Sequence, residues 1–363
     1  MYNVDELKAY AKLHARGQDI DPRRLTEVLA RIRTDDPGAP DSWAVVWNRV
    51  ADALASRGRD LEACRHYAMA RFPYAADEER VRAQRETVAA FDRWRTAQGG
   101  IEPLDLDLPG GTVRAWTAGL DAPEPRPLLL VMGGIVSVKE QWAQLLPKLA
   151  KQGFAAVVTE LPGVGENTFR YDADSWRLLP ELVDRLPGRA GTTEVSLLAL
   201  SFSGHLALRA AANDARFGRV LTVGAPVGPF FTDDAWWEAE VPAVTKEVLL
   251  RLTGAADGPA LRAELAGWAL TPEELAAVRI PVGYVRSTRD EIIPRADGEL
   301  LAAHLPQVRF KEFDDVHGSP SHLGEMRLWL MHALLSSQGV QDHRTKALEL
   351  AMGLHRFADL LRN

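Results

Sequence analysis

The stretch EVSLLALSFSGHLALRAAA, residues 194–212, changes its pattern in the middle. Residues 194–200 are almost continuously apolar, as in a buried strand of a parallel sheet, whereas residues 205–212 have the composition of a helix. Ser201 stands at the junction between the two. A serine on a sharp turn between a strand and a helix has its hydroxyl exposed, so Ser201 is predicted to be a nucleophile.

The turn departs from the usual G-x-S-x-G pattern, because Ala199 and Ser203 occupy the two glycine positions. Alanine and serine are the next smallest residues, so the crowded turn stays sterically feasible. Ser203 is a rival nucleophile, but it would place the bulky His205 at one of the crowded positions. A serine that only ends a buried strand is the alternative without catalysis.

Apolar runs of similar length occur elsewhere in the chain, separated by helical stretches. They lie at residues 127–132, 154–159, 220–224, 281–285 and 308–313. Strands of this kind alternating with helices predict a mostly parallel sheet covered by helices. Ligands of such sheets bind outside the carboxyl ends of the strands, which is where chemistry is expected.

Two further residues at predicted strand ends complete a catalytic pattern. Asp290 follows the run at 281–285, and His317 follows the run at 308–313. The order serine, acid, histidine is that of the α/β-hydrolase fold, which is the predicted fold class. His317 would take the proton of Ser201, and Asp290 would orient and stabilise the imidazole.

Two nearby residues are alternatives to the predicted acid and base. Glu291 is adjacent to Asp290, but its side chain is expected to point elsewhere. His322 is the rival base, although it lies further from the strand, at the start of a predicted helix.

A glycine pair after the run at 127–132 suggests a site for the oxyanion. In this fold the loop after that strand supplies one backbone N–H, and the residue after the nucleophile supplies the other. The expected donors are therefore Phe202 and either Gly134 or Ile135. A tight turn with no catalytic role is the alternative interpretation.

The chain divides into two predicted domains, the second of which carries an insertion. Residues 1–100 read as a helical accessory domain, in which a helix starting at Trp43 has one apolar face. Residues 101–363 form the catalytic domain, which opens with a hairpin and contains a helical cap insertion at about 227–278. Aromatic residues of the cap could line an apolar substrate pocket or only pack the cap: Phe230, Phe231, Trp236 and Trp237.

Two segments resemble one branch of the α/β-hydrolases. GGIVSVKE, residues 133–140, is similar to its G-x-x-S-x-K-E segment, and residues 160–166 are similar to its D-x-P-G-x-G-E segment, with Glu160 in place of the common aspartate. The branch contains fermentation-respiration-switch-like proteins, 2,6-dihydroxypseudooxynicotine hydrolase and fungal pigment-pathway hydrolases that shorten polyketide chains. A helical N-terminal domain is a further similarity.

The resemblance implies a hydrolase acting on an ester, or on a carbon–carbon bond beside a ketone, without a metal or organic cofactor. A bulky, mostly apolar molecule such as a polyketide of secondary metabolism is the expected substrate. One alternative is a lyase that eliminates acetate from an acylated polyketide with His317 as the base. A non-catalytic binding protein is another, favoured by the missing elbow glycines.

Composition limits the partners and the location. The formal net charge of −7 argues against nucleic acid as a partner, and the single cysteine, Cys64, excludes an intrachain disulfide. No secretion signal and no membrane-spanning run is apparent, so a cytoplasmic protein with no membrane partner is expected. The last predicted helix, residues 347–363, fits either capping the domain or joining two copies in a homodimer.

Overall fold

The structure is a computed structural model that describes residues 2–186, 194–336 and 343–360. The chain divides into two compact units, each built from several segments. Unit 1 comprises Met1–Ser175, Arg185–Thr192 and Pro242–Leu261. Unit 2 comprises Trp176–Asp184, Thr193–Val241 and Arg262–Asn363.

The chain begins with five helices, as the sequence predicts for the N-terminal region. They are α1 (Val4–Gly17), α2 (Pro22–Arg31), α3 (Trp43–Ala55), α4 (Asp60–Arg71) and α5 (Glu78–Gln98). The predicted apolar face of α3 is buried, with Trp43 and Trp47 fully covered. The side chain of Asp77 accepts the backbone N–H of Arg80, which caps the start of α5.

The strands of unit 1 begin with the predicted hairpin. They are β1 (Glu102–Leu108), β2 (Gly111–Ala118), β3 (Leu128–Met132) and β4 (Ala155–Thr159), with the short helices α6 (Glu140–Ala143) and α7 (Leu146–Lys151) between the last two. Their order is β1-β2-β4-β3. The pairs β1–β2 and β2–β4 are antiparallel, whereas β3 and β4 are parallel and completely buried.

Unit 2 contains the strand and helix on either side of Ser201. A short 3₁₀ turn at Ser175–Arg177 precedes α8 (Leu178–Arg185), and then come β5 (Val195–Leu200), α9 (Phe202–Asn213) and β6 (Phe217–Val223). Both strands are mostly buried, as expected for continuously apolar runs.

The segment between β6 and the next strand is helical, as predicted for the cap. It contains α10 (Pro229–Thr232), α11 (Asp234–Ala239), α12 (Ala243–Thr253), α13 (Gly258–Ala266) and α14 (Pro272–Ala277). Its role as a cap, and the predicted division of the chain at residue 100, stay predictions.

The chain ends with two strands and three helices. They are β7 (Val282–Ser287), α15 (Arg295–His304), β8 (Val308–Phe313), α16 (Leu323–Ser336) and α17 (His343–Leu360). The strands of unit 2 follow the order β5-β6-β7-β8, and every neighbouring pair is parallel. Within the described ranges, no helix is both long and apolar enough to cross a membrane. Residues 361–363 of the predicted last helix lie outside the described residues.

The mostly parallel strands and the helices between them confirm the predicted fold class. In unit 2 the three candidate residues Ser201, Asp290 and His317 all follow carboxyl ends of strands. Because parallel strands end at the same edge of a sheet, the loops that carry these residues are brought together.

Candidate active site

Ser201 occupies the sharp turn between β5 and α9. Its φ of 57° and ψ of −128° are unusual for a residue other than glycine. The turn is held on both sides, because Ser201 N donates to Val223 O at 2.8 Å and Gly204 N donates to Ser201 O at 2.8 Å. The backbone geometry is therefore that of the strained strand–turn–helix in which a nucleophilic serine is presented.

Small residues surround this turn, as its crowding requires. Ala199 and Ser203 are buried, and Ser203 Oγ donates to Leu200 O at 2.9 Å, which ties the rival serine into the turn. The tightest contact lies at Gly204, where an added Cβ would come 2.1 Å from Thr222 Oγ1. A close approach is expected at the two consensus positions, 199 and 203. In the structure the tightest contact lies at residue 204, which the sequence pattern did not indicate.

A chain of hydrogen bonds links Ser201 to His317 and Asp290. The Ser201 Oγ to His317 Nε2 distance is 3.0 Å. His317 Nδ1 lies 3.0 Å from Oδ1 and 2.9 Å from Oδ2 of Asp290. A carboxylate oxygen only accepts, so His317 Nδ1 carries a hydrogen and Nε2 is free to accept the serine proton.

The loop of Asp290 fixes the position of its carboxylate. Asp290 Oδ1 also accepts the backbone N–H groups of Ile292 at 3.0 Å and Ile293 at 2.8 Å. These bonds hold the acid at the end of β7, where the imidazole of His317 meets it.

The electrostatics of the site favour the protonated imidazole. Burial is the largest single effect and acts to lower the pKa of His317, but the Asp290 carboxylate and, less strongly, Glu291 raise it. The net result is a pKa above the ordinary value for histidine. An imidazole with a raised pKa holds its proton more firmly than free histidine does, and it can accept a proton only at pH values above that pKa.

The rival base makes a separate pair. His322 Nδ1 lies 3.2 Å from Asp315 Oδ2, and its ring stacks on Phe313 with the centroids 4.8 Å apart. Asp315 also accepts the backbone N–H of Ser321. The ring that faces Ser201 is that of His317.

Glu291 makes no described hydrogen bond to the imidazole, but its side chain is directed at the same residue, whereas the sequence led us to expect that it points elsewhere. It accepts the backbone N–H of His317 at 3.0 Å. The sequence showed only that Glu291 neighbours Asp290, and no pattern linked it to the histidine backbone.

The expected oxyanion donors lie in different units. Phe202 is the first residue of α9, and the first N–H groups of a helix have no partner within that helix. Gly134 and Ile135 are buried in unit 1, just beyond β3. Their role as donors stays a prediction.

Three of the four aromatic residues proposed for the substrate pocket are buried. Phe230 and Phe231 are completely covered, and Trp237 is 4% exposed. The Phe230 ring meets that of Phe202 edge to face with centroids 5.2 Å apart, and the Phe231 ring lies 4.9 Å from that of His205. Phe230 and Phe231 pack α10 against the beginning of α9, and Trp237 of α11 packs on Phe230. Contact of these side chains with substrate stays a prediction.

Trp236 is only partly buried and contacts the acid loop. Its indole N–H donates to Ile292 O at 2.9 Å. Ile292 in turn donates to Asp290, so Trp236 braces the loop that carries the acid.

Asp297 is a buried residue of the site that sequence reasoning missed. Its carboxylate accepts the backbone N–H groups of Val227, Gly228 and Phe230 and thereby holds the turn that begins α10. Burial raises the pKa of Asp297 to about 7 despite these three bonds. An aspartate in the first turn of α15 is common in sequences, so the pattern carried no signal for this contact.

No group of three or more histidine, cysteine or acidic side chains in the described part of the chain could hold a metal ion.

Comparisons with known proteins place these observations in a wider group. A family model described as FrsA-like esterase matches residues 41–315. Among curated proteins, 2,6-dihydropseudooxynicotine hydrolase from Paenarthrobacter nicotinovorans is 26% identical over 238 residues, which is 61% of this chain. The match spans 62% of that relative's length.

Two solved structures match over more of the chain. The structure of wild-type AbyA5 matches with 49% identity and a TM-score of 0.93, covering 97% of this chain and 99% of that one. The crystal structure of 2,6-dihydroxy-pseudo-oxynicotine hydrolase matches with 21% identity and a TM-score of 0.70, covering 89% and 96%. At this lower identity the likeness concerns the fold alone, and it is the α/β-hydrolase fold.

Proposed function

Because this chain belongs to the FrsA-like esterase family, it is an enzyme of the α/β-hydrolase type, and we propose that it works through Ser201, His317 and Asp290. The bond it cleaves is an ester, or a carbon–carbon bond beside a ketone, in a bulky and mostly apolar small molecule. The observation that carries the proposal is the hydrogen-bonded chain from Ser201 Oγ through His317 to Asp290.

The reaction begins with attack of Ser201 Oγ on the acyl carbon of the substrate. His317 Nε2 takes the hydroxyl proton, and the imidazolium is stabilised by Asp290. When the intermediate collapses, His317 returns the proton to the leaving group. The leaving group is an alkoxide for an ester, or an enolate carbon for a bond beside a ketone.

Water completes the cycle. His317 removes a proton from the water molecule that attacks the acyl-serine, and the acid is released as Ser201 recovers its proton. The Phe202 N–H would hold the negative oxygen of each tetrahedral intermediate.

The name of one relative supports the proposed substrate class. That relative carries the name 2,6-dihydropseudooxynicotine hydrolase. We extend this to a polyketide or aromatic ketone in secondary metabolism. A panel of p-nitrophenyl esters of increasing acyl size tests it, since good turnover of short esters with exclusion of large ones contradicts the bulky substrate.

The nucleophile is tested with a fluorophosphonate probe, which reacts only with an activated serine. Wild type, Ser201→Ala and Ser203→Ala are treated, and the adduct is located by peptide mass spectrometry. We expect labelling at Ser201 that is lost in Ser201→Ala and kept in Ser203→Ala. A folded wild type that stays unlabelled would contradict the assignment of the nucleophile.

A second candidate function is elimination of a carboxylate from a β-acyloxy ketone. The raised pKa of His317 favours it, because a stronger base is better suited to removing a proton from carbon. His317 would take the proton beside the ketone, the carbon–oxygen bond would break, and the carboxylate would leave with the electron pair as the double bond forms. No water is consumed.

The two functions give different products from one substrate, the acetate ester of a β-hydroxy ketone. In water enriched in the heavy oxygen isotope, hydrolysis yields labelled acetate and a hydroxy ketone. Elimination yields unlabelled acetate and an enone, which a thiol traps. Elimination that persists in Ser201→Ala and stops in His317→Ala would assign the chemistry to the base alone.

A further inference from the structure

Two consecutive acidic residues at the end of β7 both engage His317, but at different points. Asp290 binds the ring through Nδ1, whereas Glu291 binds the backbone N–H at 3.0 Å. Asp290 therefore fixes the imidazole ring of His317, and Glu291 fixes the backbone of the same residue.

We infer that Glu291 is a positioning residue for His317, which fixes the histidine backbone and places a second negative charge near the imidazolium formed during the reaction. This inference rests on the proposed function, because it concerns the same site. Glu291 touches neither the imidazole nitrogens nor Ser201 through any described hydrogen bond, so it acts through His317.

The hydrogen bond from the His317 N–H to Glu291 is suited to positioning the histidine. A hydrogen bond from a backbone N–H to an ionised carboxylate is shorter and stronger than one between neutral groups. His317 lies outside the regular pairing of β8, which ends at Phe313, so its N–H depends on a side chain for a partner. An error of about 1 Å in the position of a catalytic group costs roughly a hundredfold in rate.

The charge of Glu291 also acts on the imidazole. Burial acts to lower the pKa of His317, and the carboxylates of Asp290 and then Glu291 act to raise it. The side chain of His317 is only 15% exposed and Glu291 is half-buried, so water screens their interaction less than it would at the surface.

Other charged residues in the loops and elements around His317 are engaged elsewhere. Gly224 faces the ring from the end of β6 and carries no charge. The remaining groups are Asp315, bonded to Ser321 N and His322; Asp297, bonded to the 227–230 turn; and the exposed pair of Asp314 and Arg289. Among the described groups, Asp290 and Glu291 are the carboxylates that act on the pKa of His317, and Glu291 is the one that makes no described bond to its ring.

Two substitutions distinguish the effect of the negative charge of Glu291 from that of its hydrogen bond with the His317 N–H. Glu291→Gln keeps an oxygen that accepts the His317 N–H and loses the charge, whereas Glu291→Ala loses both. Glu299→Gln is the matched control, because Glu299 is an exposed carboxylate on α15 paired with Arg295.

The pH dependence of fluorophosphonate labelling of Ser201 is the first measurement. For Glu291→Gln we expect the midpoint of the acidic limb to move to lower pH, with the rate at high pH within about threefold of wild type. For Glu291→Ala we expect the same movement and a loss of about 10- to 100-fold at high pH. Glu299→Gln should match wild type in both respects.

An NMR titration of His317 tests the role of Glu291 independently of reactivity. The protein is labelled at histidine Cε1, and the His317 signal is identified by its loss in His317→Asn. A lower titration midpoint in Glu291→Gln supports the inference, and a midpoint equal to wild type overturns it. If wild type is not labelled by the probe, the proposed function fails, while the titration still shows whether Glu291 raises the pKa of His317.

Discussion

Gly224 packs directly against the imidazole of His317. A Cβ atom built on Gly224 would lie 2.7 Å from His317 Cε1 and 3.1 Å from Nδ1. Gly224 follows the last residue of β6 and has a φ of 60°. The absence of a side chain at this position is therefore part of the geometry that lets the ring lie between Asp290 and Ser201.

Gly224→Ala should displace the imidazole and lower kcat/KM about 100-fold, since small displacements of a base are costly. The measurement is steady-state hydrolysis of an activated ester, with circular dichroism to establish that the variant is folded. Gly254→Ala is the control, because Gly254 has a similar φ of 66° but open space around its added Cβ. Equal losses in both variants would attribute the effect to backbone strain and contradict the contact.

The activity should fall on the acidic side of a midpoint above pH 6.5, the ordinary pKa of histidine. The pKa of His317 is raised, and the base must be unprotonated to act, so kcat/KM rises as pH passes through that raised value. Asp290→Asn should move the midpoint to lower pH and reduce kcat about 10,000-fold.

Asp314→Asn serves as the control for this profile, since Asp314 is an exposed carboxylate in the loop of His317. Its profile should coincide with that of wild type. A wild-type midpoint at or below pH 6.5 would be inconsistent with the electrostatics of the site.

Gly204→Ala should destabilise the fold by about 1–3 kcal/mol, the usual cost of overpacking a filled core. The added Cβ would lie 2.1 Å from Thr222 Oγ1 and 2.5 Å from the Cβ of Ala225. Urea denaturation measures the change. Gly353→Ala, on α17 with open space, should be neutral or gain up to about 1 kcal/mol from helix propensity.

Asp297→Asn should cost about 2–3 kcal/mol, because the amide nitrogen replaces an oxygen that accepts a buried backbone N–H. Asp233→Asn is the control, since Asp233 is an exposed cap of α11 and asparagine caps equally well. A cost of the same size in both variants would argue against a special role for the buried acid.

The cost of Asp297→Asn should also depend on pH. The pKa of Asp297 in the folded state, about 7, lies above its value of 3.8 in the unfolded chain. The folded state therefore binds the proton more tightly, and the associated stability is present below pH 3.8 and lost as pH rises through 7. The difference in unfolding free energy between wild type and variant should shrink between pH 5 and pH 8.

Much of the fold could be predicted from local pattern. The continuously apolar runs marked β3 to β8 because a strand buried on both faces must be apolar throughout. The alternation around Pro109 and Gly110 marked the hairpin of β1 and β2, which is observed. Ser201, Asp290 and His317 could be selected because each follows such a run, and parallel strands end at one edge.

The sequence alone thus determined the fold class and predicted three candidate residues at the strand ends, because both follow from periodicity and chain order. Only the tertiary structure decided which groups support them. Gly224, at the end of β6, packs against His317, which follows β8. Glu291 accepts the backbone N–H of His317, 26 positions later in the chain, and Asp297 binds a turn about 70 positions earlier. Such contacts depend on side-chain direction and on which loops meet, and neither leaves a periodic trace in the chain.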